Sequence, residues 1–328
     1  MTDRTSGKIS SRTHRLTAVI AVLALGQLAL AVPAAAQTKV RFAYVKTLEV
    51  LPFFYAAKKG YFKDVGLDIE MIAVPGGPAV GAAIASGSAD FGFAALSPVL
   101  IAREQGQPFK FFMSLEYEQT PGRLWGTIMA SAKSGIKSIK DLAGKNIVLG
   151  VPGGLCELSI HDWMDKAGLA YSQARILNNP FPQMPAMLEL GTADAACIVE
   201  PFATAALNGK TKPVELARGF LAEVTTPYRI AGLFAAETWI AAHQKEIVAL
   251  EKASLRAATE LNRDPSVTKA ILADEFRFPA EYIEKLRYDF LVDFKPKAAD
   301  YQTIIDKMLK YGMLKKPTKA EDVIVTAK

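Results

Sequence analysis

The chain carries one pattern of residues twice. Lys39-Val-Arg-Phe-Ala-Tyr-Val45 is a short β-rich run, and Lys145-Asn-Ile-Val-Leu-Gly-Val151 resembles it 106 positions later. Lys63-Asp-Val-Gly66-Leu67 returns as Asp165-Lys-Ala-Gly168-Leu169 at an offset of 102. Ile84-Ala-Ser-Gly87-Ser-Ala-Asp90-Phe-Gly-Phe-Ala, followed by Ser97-Pro98, returns as Leu188-Glu-Leu-Gly191-Thr-Ala-Asp194-Ala-Ala-Cys-Ile, followed by Glu200-Pro201, at an offset of 104. Three matched stretches in the same order, nearly evenly displaced, mean two similar lobes. The period is too long for a solenoid repeat.

Each copy reads as β-α-β-α-β. The first run is a buried strand leading through a loop into a helix. Gly66 and Gly168 stand where a helix end needs a positive φ. Second strands are predicted over 68–74 and 174–177. The strands after Asp90 and Asp194 are short and apolar, as in a parallel sheet covered on both faces. Ser97-Pro98 and Glu200-Pro201 then open helices, with proline in the first turn. This alternation predicts an α/β fold of doubly wound parallel sheets. Strands near Gly126–Ser131 and Gly232–Ala236 are predicted to cross between the lobes as a hinge. Helical spacing of Ile247, Leu250, Ser254, Ala257 and Leu261, and of Tyr301, Ile304, Ile305, Met308 and Leu309 before Gly312, predicts C-terminal helices that return to lobe one.

Met1 to about Ala36 reads as a secretory signal. Arg4, Lys8, Arg12 and Arg15 form its basic start, Leu16–Leu30 its apolar core, and Ala34-Ala35-Ala36 its cleavage site, so export to the periplasm by the general secretory route is expected. The net charge of +6 falls to +3 without Asp3 and those four cations. No basic block supports nucleic-acid binding, and no later run is long and apolar enough to enter a membrane. Removing the leader leaves His161, His243, Cys156 and Cys197, too few metal-binding side chains for a zinc site, and no ligand spacing supports one.

Together these residues resemble the periplasmic substrate-binding proteins of ABC importers, in the branch that serves nitrate, sulfonates, taurine and thiamine-pyrimidine precursors. The resemblance is carried by Pro52-Phe53-Phe54-Tyr55-Ala56-Ala57 with Gly60-Tyr61-Phe62 and Gly66-Leu67; by Gly87-Ser88-Ala89-Asp90-Phe91-Gly92; by Ile136 to Lys145 with Asp141-Leu142 and Gly144; and by Glu200-Pro201-Phe202. It implies a type II periplasmic-binding fold, with lobe one over 37–128 plus 232–328 and lobe two over 129–231. It implies a monomer that binds a small solute between the lobes and docks on a membrane permease, with no cofactor and no catalysis.

Sheets of this kind place ligands beyond the carboxyl ends of their strands. The candidate ligand-binding residues are therefore Lys46, Thr47, Leu48, Glu49 and Phe53 after the first strand, and Leu96 and Ser97 after the third. Glu116 and Tyr117 follow the Phe109–Met113 strand. Lobe two offers Gly153, Gly154, Cys156, Glu200 and Arg229. Helix starts near Thr47, Ser97 and Gly153-Gly154 attract anions, whereas Glu49, Glu116 and Glu200 favour an amine or a ring N–H. The solute is thus expected to be anionic or zwitterionic, with an aromatic ring admissible. Thr47 and Ser97 have helix capping as their structural role, Arg229 an ion pair across the hinge, and Phe53 and Tyr117 the core. Cys156 and Cys197 share a lobe, and export permits a bridge, but they read as buried free thiols.

Enzyme readings find little support. Gly76-Gly77-Pro78-Ala79-Val80-Gly81 lacks the spacing of a dinucleotide loop, and Gly209-Lys210-Thr211 lacks the upstream glycine of a P-loop. Cys156 and His161 are wrongly spaced for a thiol hydrolase. The remaining alternative, a thiamine-pyrimidine synthase of the same fold, carries a cysteine- and histidine-rich patch that this chain lacks.

Overall fold

The computed structural model describes residues 1, 37–119, 125–277, 280–284 and 289–325. The leader predicted over 1–36 lies, Met1 apart, outside the described residues. The strands are β1 (Thr38–Tyr44), β2 (Leu67–Ala73), β3 (Phe91–Ala95), β4 (Phe109–Glu118), β5 (Gly126–Ala130), β6 (Asn146–Val148), β7 (Arg175–Leu177), β8 (Ala195–Val199), β9 (Val214–Arg218) and β10 (Tyr228–Ala236). They form two five-stranded sheets, ordered β2-β1-β3-β10-β4 and β7-β6-β8-β5-β9.

In the first sheet β1 runs parallel to β2 and β3, and in the second β6 runs parallel to β7 and β8. The sheets are not parallel throughout, however. β10 is antiparallel to β3 and β4, and β5 is antiparallel to β8 and β9. The reason lies in the crossovers. A strand arriving from the other sheet enters at the end where its new neighbours finish, so it runs against them. The strand pairing places β5 in the second sheet from Gly126 and β10 in the first from Tyr228.

The repeat has a physical basis in two devices. Gly66 and Gly168, with φ of 82° and 75°, reverse the chain after a helix into the next strand, a backbone region that glycine enters without penalty. Asp90 and Asp194 each clasp the start of the central strand. The Asp90 N–H donates to the Arg41 carbonyl at 2.9 Å, and the Arg41 N–H returns a bond to the Asp90 carboxylate at 2.7 Å. Asp194 and Asn146 exchange the same two bonds, both 2.8 Å long.

The first lobe is packed with rings. Phe42 lies 5.0 Å from Phe53 and 4.9 Å from Phe91, centroid to centroid, and all three are fully buried. The helix Gln244–Arg263 buries Ile247, Leu250, Ser254, Ala257 and Leu261 and packs on the helix Leu51–Lys59. The helix Ala298–Lys310 lies on β10, with Tyr301 against Phe111. It also reaches the helix Leu155–Lys166 of the second lobe, where Lys307 and Tyr311 both bond to buried Asp162.

The second lobe departs from expectation at two points. Pro201 precedes the helix Phe202–Leu207 rather than entering it. Cys156 and Cys197 are joined in a disulfide, with Cα atoms 5.8 Å apart, so they are not free thiols. The first turn of the Leu155–Lys166 helix returns over the middle of β8 and brings the two sulfurs together. Among the described residues no helix is long and apolar enough to cross a membrane.

Glu118 ends β4 and is fully buried. Its carboxylate accepts N–H bonds from Trp125 at 2.8 Å and Gly126 at 2.7 Å on the outgoing crossover, and from Ala222 at 2.9 Å on the return. One side chain therefore ties both crossings together.

Candidate functional site: a cleft between two sheets

The carboxyl ends of β1, β2, β3, β6, β7 and β8 converge on a cavity of about 390 Å³, within the ~300–1,000 Å³ range of small-molecule sites. Val45, Thr47 and Glu49 enter from the loop after β1, Pro75 and Gly76 from the loop after β2, and Ala95 and Pro98 from the end of β3. The second sheet supplies Leu149, Gly154 and Cys156 after β6, Phe181 after β7, and Phe202 after β8. Trp125 closes the wall from the crossover, and Ile230 from β10. Most of this surface is apolar.

Of the residues singled out by sequence, Lys46, Thr47, Glu49, Gly154 and Cys156 stand on the wall. Leu48, Phe53 and Leu96 are core residues, since the 3₁₀ turn Leu48–Val50 and the two helix starts rotate them inward. Ser97 is wholly buried between the wall residues Ala95 and Pro98, and its hydroxyl has no partner among the described residues. Glu116 is buried behind the wall and accepts the Tyr117 N–H at 2.8 Å. Tyr117 stacks under the Arg229 guanidinium, 5.1 Å away. Arg229 lies on β10 of the first sheet and is locked by Asp300 at 2.6 and 2.8 Å and by the Ser114 hydroxyl at 3.3 Å, an ion pair within lobe one rather than across the hinge. Gly153 donates its N–H to Glu157 and faces Ile101 of the other lobe, where a Cβ would lie 2.7 Å from the Ile101 Cδ1. Glu200 accepts the Thr204 N–H at 3.1 Å and lies 3.6 Å from Arg218, off the wall.

The loops after β2 and β7 were missed. Their signal was available, because the same repeat that maps β1 onto β6 maps β2 onto β7, and Pro180-Phe181-Pro182 punctuates the second copy. Trp125 carried no local signal, since its place depends on where the crossover passes.

Lys46 and Glu49 are the charged side chains on the wall among the described residues. The Lys46 ammonium donates to the Glu275 carbonyl. Glu49 is only 4% exposed, and the Trp125 indole N–H donates to its Oε1. Its Oε2 and the Thr47 hydroxyl are buried, and neither makes a well-formed hydrogen bond among the described residues, though the Thr47 hydroxyl is near enough to favour the Glu49 charge. Burial, reinforced by the nearby Glu116 charge, pushes the Glu49 carboxyl up to about 7. Three helix starts also border the cavity: Gly77–Ala85, Leu96–Glu104 and Leu155–Lys166. The Thr47 side chain makes no capping bond.

The fold has known relatives. The alkanesulfonate-binding protein SsuA from Xanthomonas axonopodis pv. citri, solved with MOPS, superposes with a TM-score of 0.74 at 21% identity, covering 89% of this chain and 100% of that one. The periplasmic nitrate-binding protein NrtA from Synechocystis gives a TM-score of 0.71 at 15% identity, covering 88% of this chain and 86% of that one. The architecture is thus the two-lobed periplasmic-binding fold. In sequence, the chain is 29% identical over 150 residues to 4-amino-5-hydroxymethyl-2-methylpyrimidine phosphate synthase from Schizosaccharomyces pombe, covering 46% of this chain and 41% of that one. It is 26% identical over 197 residues to the nitrate/nitrite-binding protein NrtA of a Nostoc species, covering 54% of this chain and 44% of that one. The matches therefore span less than half the length of these curated relatives. Residues 47–267 match the family described as NMT1/THI5 like, and the chain belongs to that family.

Proposed function

We propose that this protein is an extracytoplasmic solute receptor, which holds one small molecule between its lobes and hands it to an ABC permease. The observation that carries the reading is the cavity itself, walled by the strand ends of two separate sheets. A solute touching both walls stabilises the closed arrangement by its differential contacts. The closed surface is what a permease reads. In this reading the leader over 1–36 exports the chain to the periplasm, where it works as a monomer. In this reading the lobes exchange between β4 and β5 and between β9 and β10.

A solute at 100 times its Kd adds about 2.7 kcal/mol to the native state. A thermal-shift screen over nitrate, alkyl sulfonates, taurine, aromatic carboxylates and pyrimidines should therefore find a stabilising solute, and mass spectrometry should return it unchanged. Turnover of a solute, with no stabilising ligand found, overturns the receptor reading.

The second reading is an enzyme of this fold acting on a pyrimidine-type thiamine precursor, favoured by the sequence match to the fission-yeast synthase. Against it, neither His161 nor His243 stands on the cavity wall, and the Cys156 sulfur is bonded to Cys197.

A further inference from the structure

We propose that Glu49 makes this cavity selective for solutes that present an N–H donor, an amine or an amino-substituted ring, over plain oxyanions. The inference rests on the receptor reading above and names the solute class of that same site.

The argument is one of unmet hydrogen bonds. A buried acceptor left without a donor costs free energy, and folded proteins rarely tolerate one without a purpose. Glu49 is buried on the cavity wall, and its two oxygens have different fates. Oε1 is held by the Trp125 indole, which fixes the side-chain rotamer. Oε2 has no partner among the described residues. Among the described residues, one acceptor atom of an oriented carboxyl is thus left without a well-formed bond, beside a Thr47 hydroxyl in the same position.

Among the described residues, neither nearby cation pairs with Glu49. Lys46 is tied to the Glu275 carbonyl, and Arg229 is clamped by Asp300 away from the wall. Glu116, buried behind Glu49, adds negative potential. Above pH 7, where Glu49 is ionised, a nitrate or simple sulfonate placed beside it would meet a buried like charge. An N–H group would complete the hydrogen bonding. The helix starts across the cavity leave room for an anionic group elsewhere on the same solute, so zwitterions fit the class.

Matched probes test this. Taurine is compared with propane-1-sulfonate, in which a methyl replaces the ammonium, and 4-aminopyrimidine with 4-methylpyrimidine; nitrate is the plain oxyanion. Each is titrated calorimetrically at pH 8, above the Glu49 value of about 7, into the purified protein and into Glu49→Gln. At least one N–H-bearing probe should bind ten-fold or more tightly than its methyl counterpart and than nitrate. In Glu49→Gln the Trp125 indole claims the amide oxygen and turns the NH₂ toward the cavity, so that ratio should collapse or invert.

Nitrate or propane-1-sulfonate binding as tightly as the N–H probes, or a preference unchanged in Glu49→Gln, overturns the inference and leaves the receptor standing. Binding by none of the five probes overturns the inference as well. Chemical conversion of a probe overturns the receptor reading instead.

Discussion

The two lobes share one topology and solve its packing problem differently. Around Gly92 the first sheet reads Phe91-Gly92-Phe93; at the matching place the second reads Ala195-Ala196-Cys197. Large rings on β3 require a glycine between them, because the helix Gly77–Ala85 presses down there: a Cβ on Gly92 would lie 2.1 Å from the Val80 Cγ1. The second lobe has small side chains on β8 and shorter strands β6 and β7, and joins its β8 to the covering helix through Cys156–Cys197. One lobe is held by burial of aromatic surface, the other by a covalent tie.

The largest test of this contrast is removal of the tie. The bridge spans a sequence separation of 41, and the chain-entropy account assigns a loop of that size about 4 kcal/mol. The Cys156→Ala/Cys197→Ala double variant should lose stability on that order in urea unfolding. Hydrogen exchange should rise in β6, β7 and β8 before it rises in β1 to β3. Uniform loss across both sheets would erase the distinction.

Next comes the packing of the first lobe. Gly92→Ala should cost about 3 kcal/mol through overpacking, whereas Ala196→Gly at the matching position should cost only about 1 kcal/mol through backbone entropy. Equal costs would mean that the two sheets are packed alike.

The third test concerns Glu49, whose counterpart in the repeat is a glycine of the Gly153-Gly154 loop. Its folded-state carboxyl, at about 7, lies above the ordinary 4.5 because of burial and then Glu116. The folded protein keeps a proton that the unfolded chain has lost, so the group's contribution is full below pH 4.5 and is lost as pH rises to about 7. Glu49→Gln should leave unliganded stability unchanged near pH 4 and raise it by about 3 kcal/mol at pH 8. A pH-independent difference would remove Glu49 as a strained acid.

The smallest effect separates the two clasps. Asp90 also receives the Arg41 guanidinium at 2.7 and 3.1 Å, an addition that Asn146 does not make to Asp194. Asp90→Ala should exceed Asp194→Ala by roughly 1 kcal/mol, the worth of a partly exposed charged pair.

These comparisons show what a single sequence reveals. The repeat was legible because glycine at a helix end and aspartate at a strand start are local demands, written in residue type. The positions of β1, β2, β3, β7, β8 and the hinge strands followed from it. The antiparallel insertion of β5 and β10 was not written locally, since it depends on which sheet each crossover enters. In the site, Thr47 and Glu49 were found because the carboxyl end of a first strand is a fixed place in such folds. Phe53 and Leu96 were nominated by proximity along the chain, but the turn before each helix sets where they point, and Glu116 is not in a loop because β4 runs on to Glu118. The Cys156–Cys197 pairing required knowing that a helix doubles back over β8.

Trp125 links the far ends of this account. Its backbone N–H bonds to Glu118, the side chain that knots the two crossings, and its indole bonds to Glu49. When two jaws swing about a knot, displacement grows with radius. The loops after β2 and β7 sit three strand spacings, ~14 Å, from the crossover strands and sweep the widest arc. On the proposed receptor reading, Glu49, moored to the pivot through Trp125, would travel least. Glu49 would then be the fixed face of the grip and Phe181, on its distant loop, the moving one.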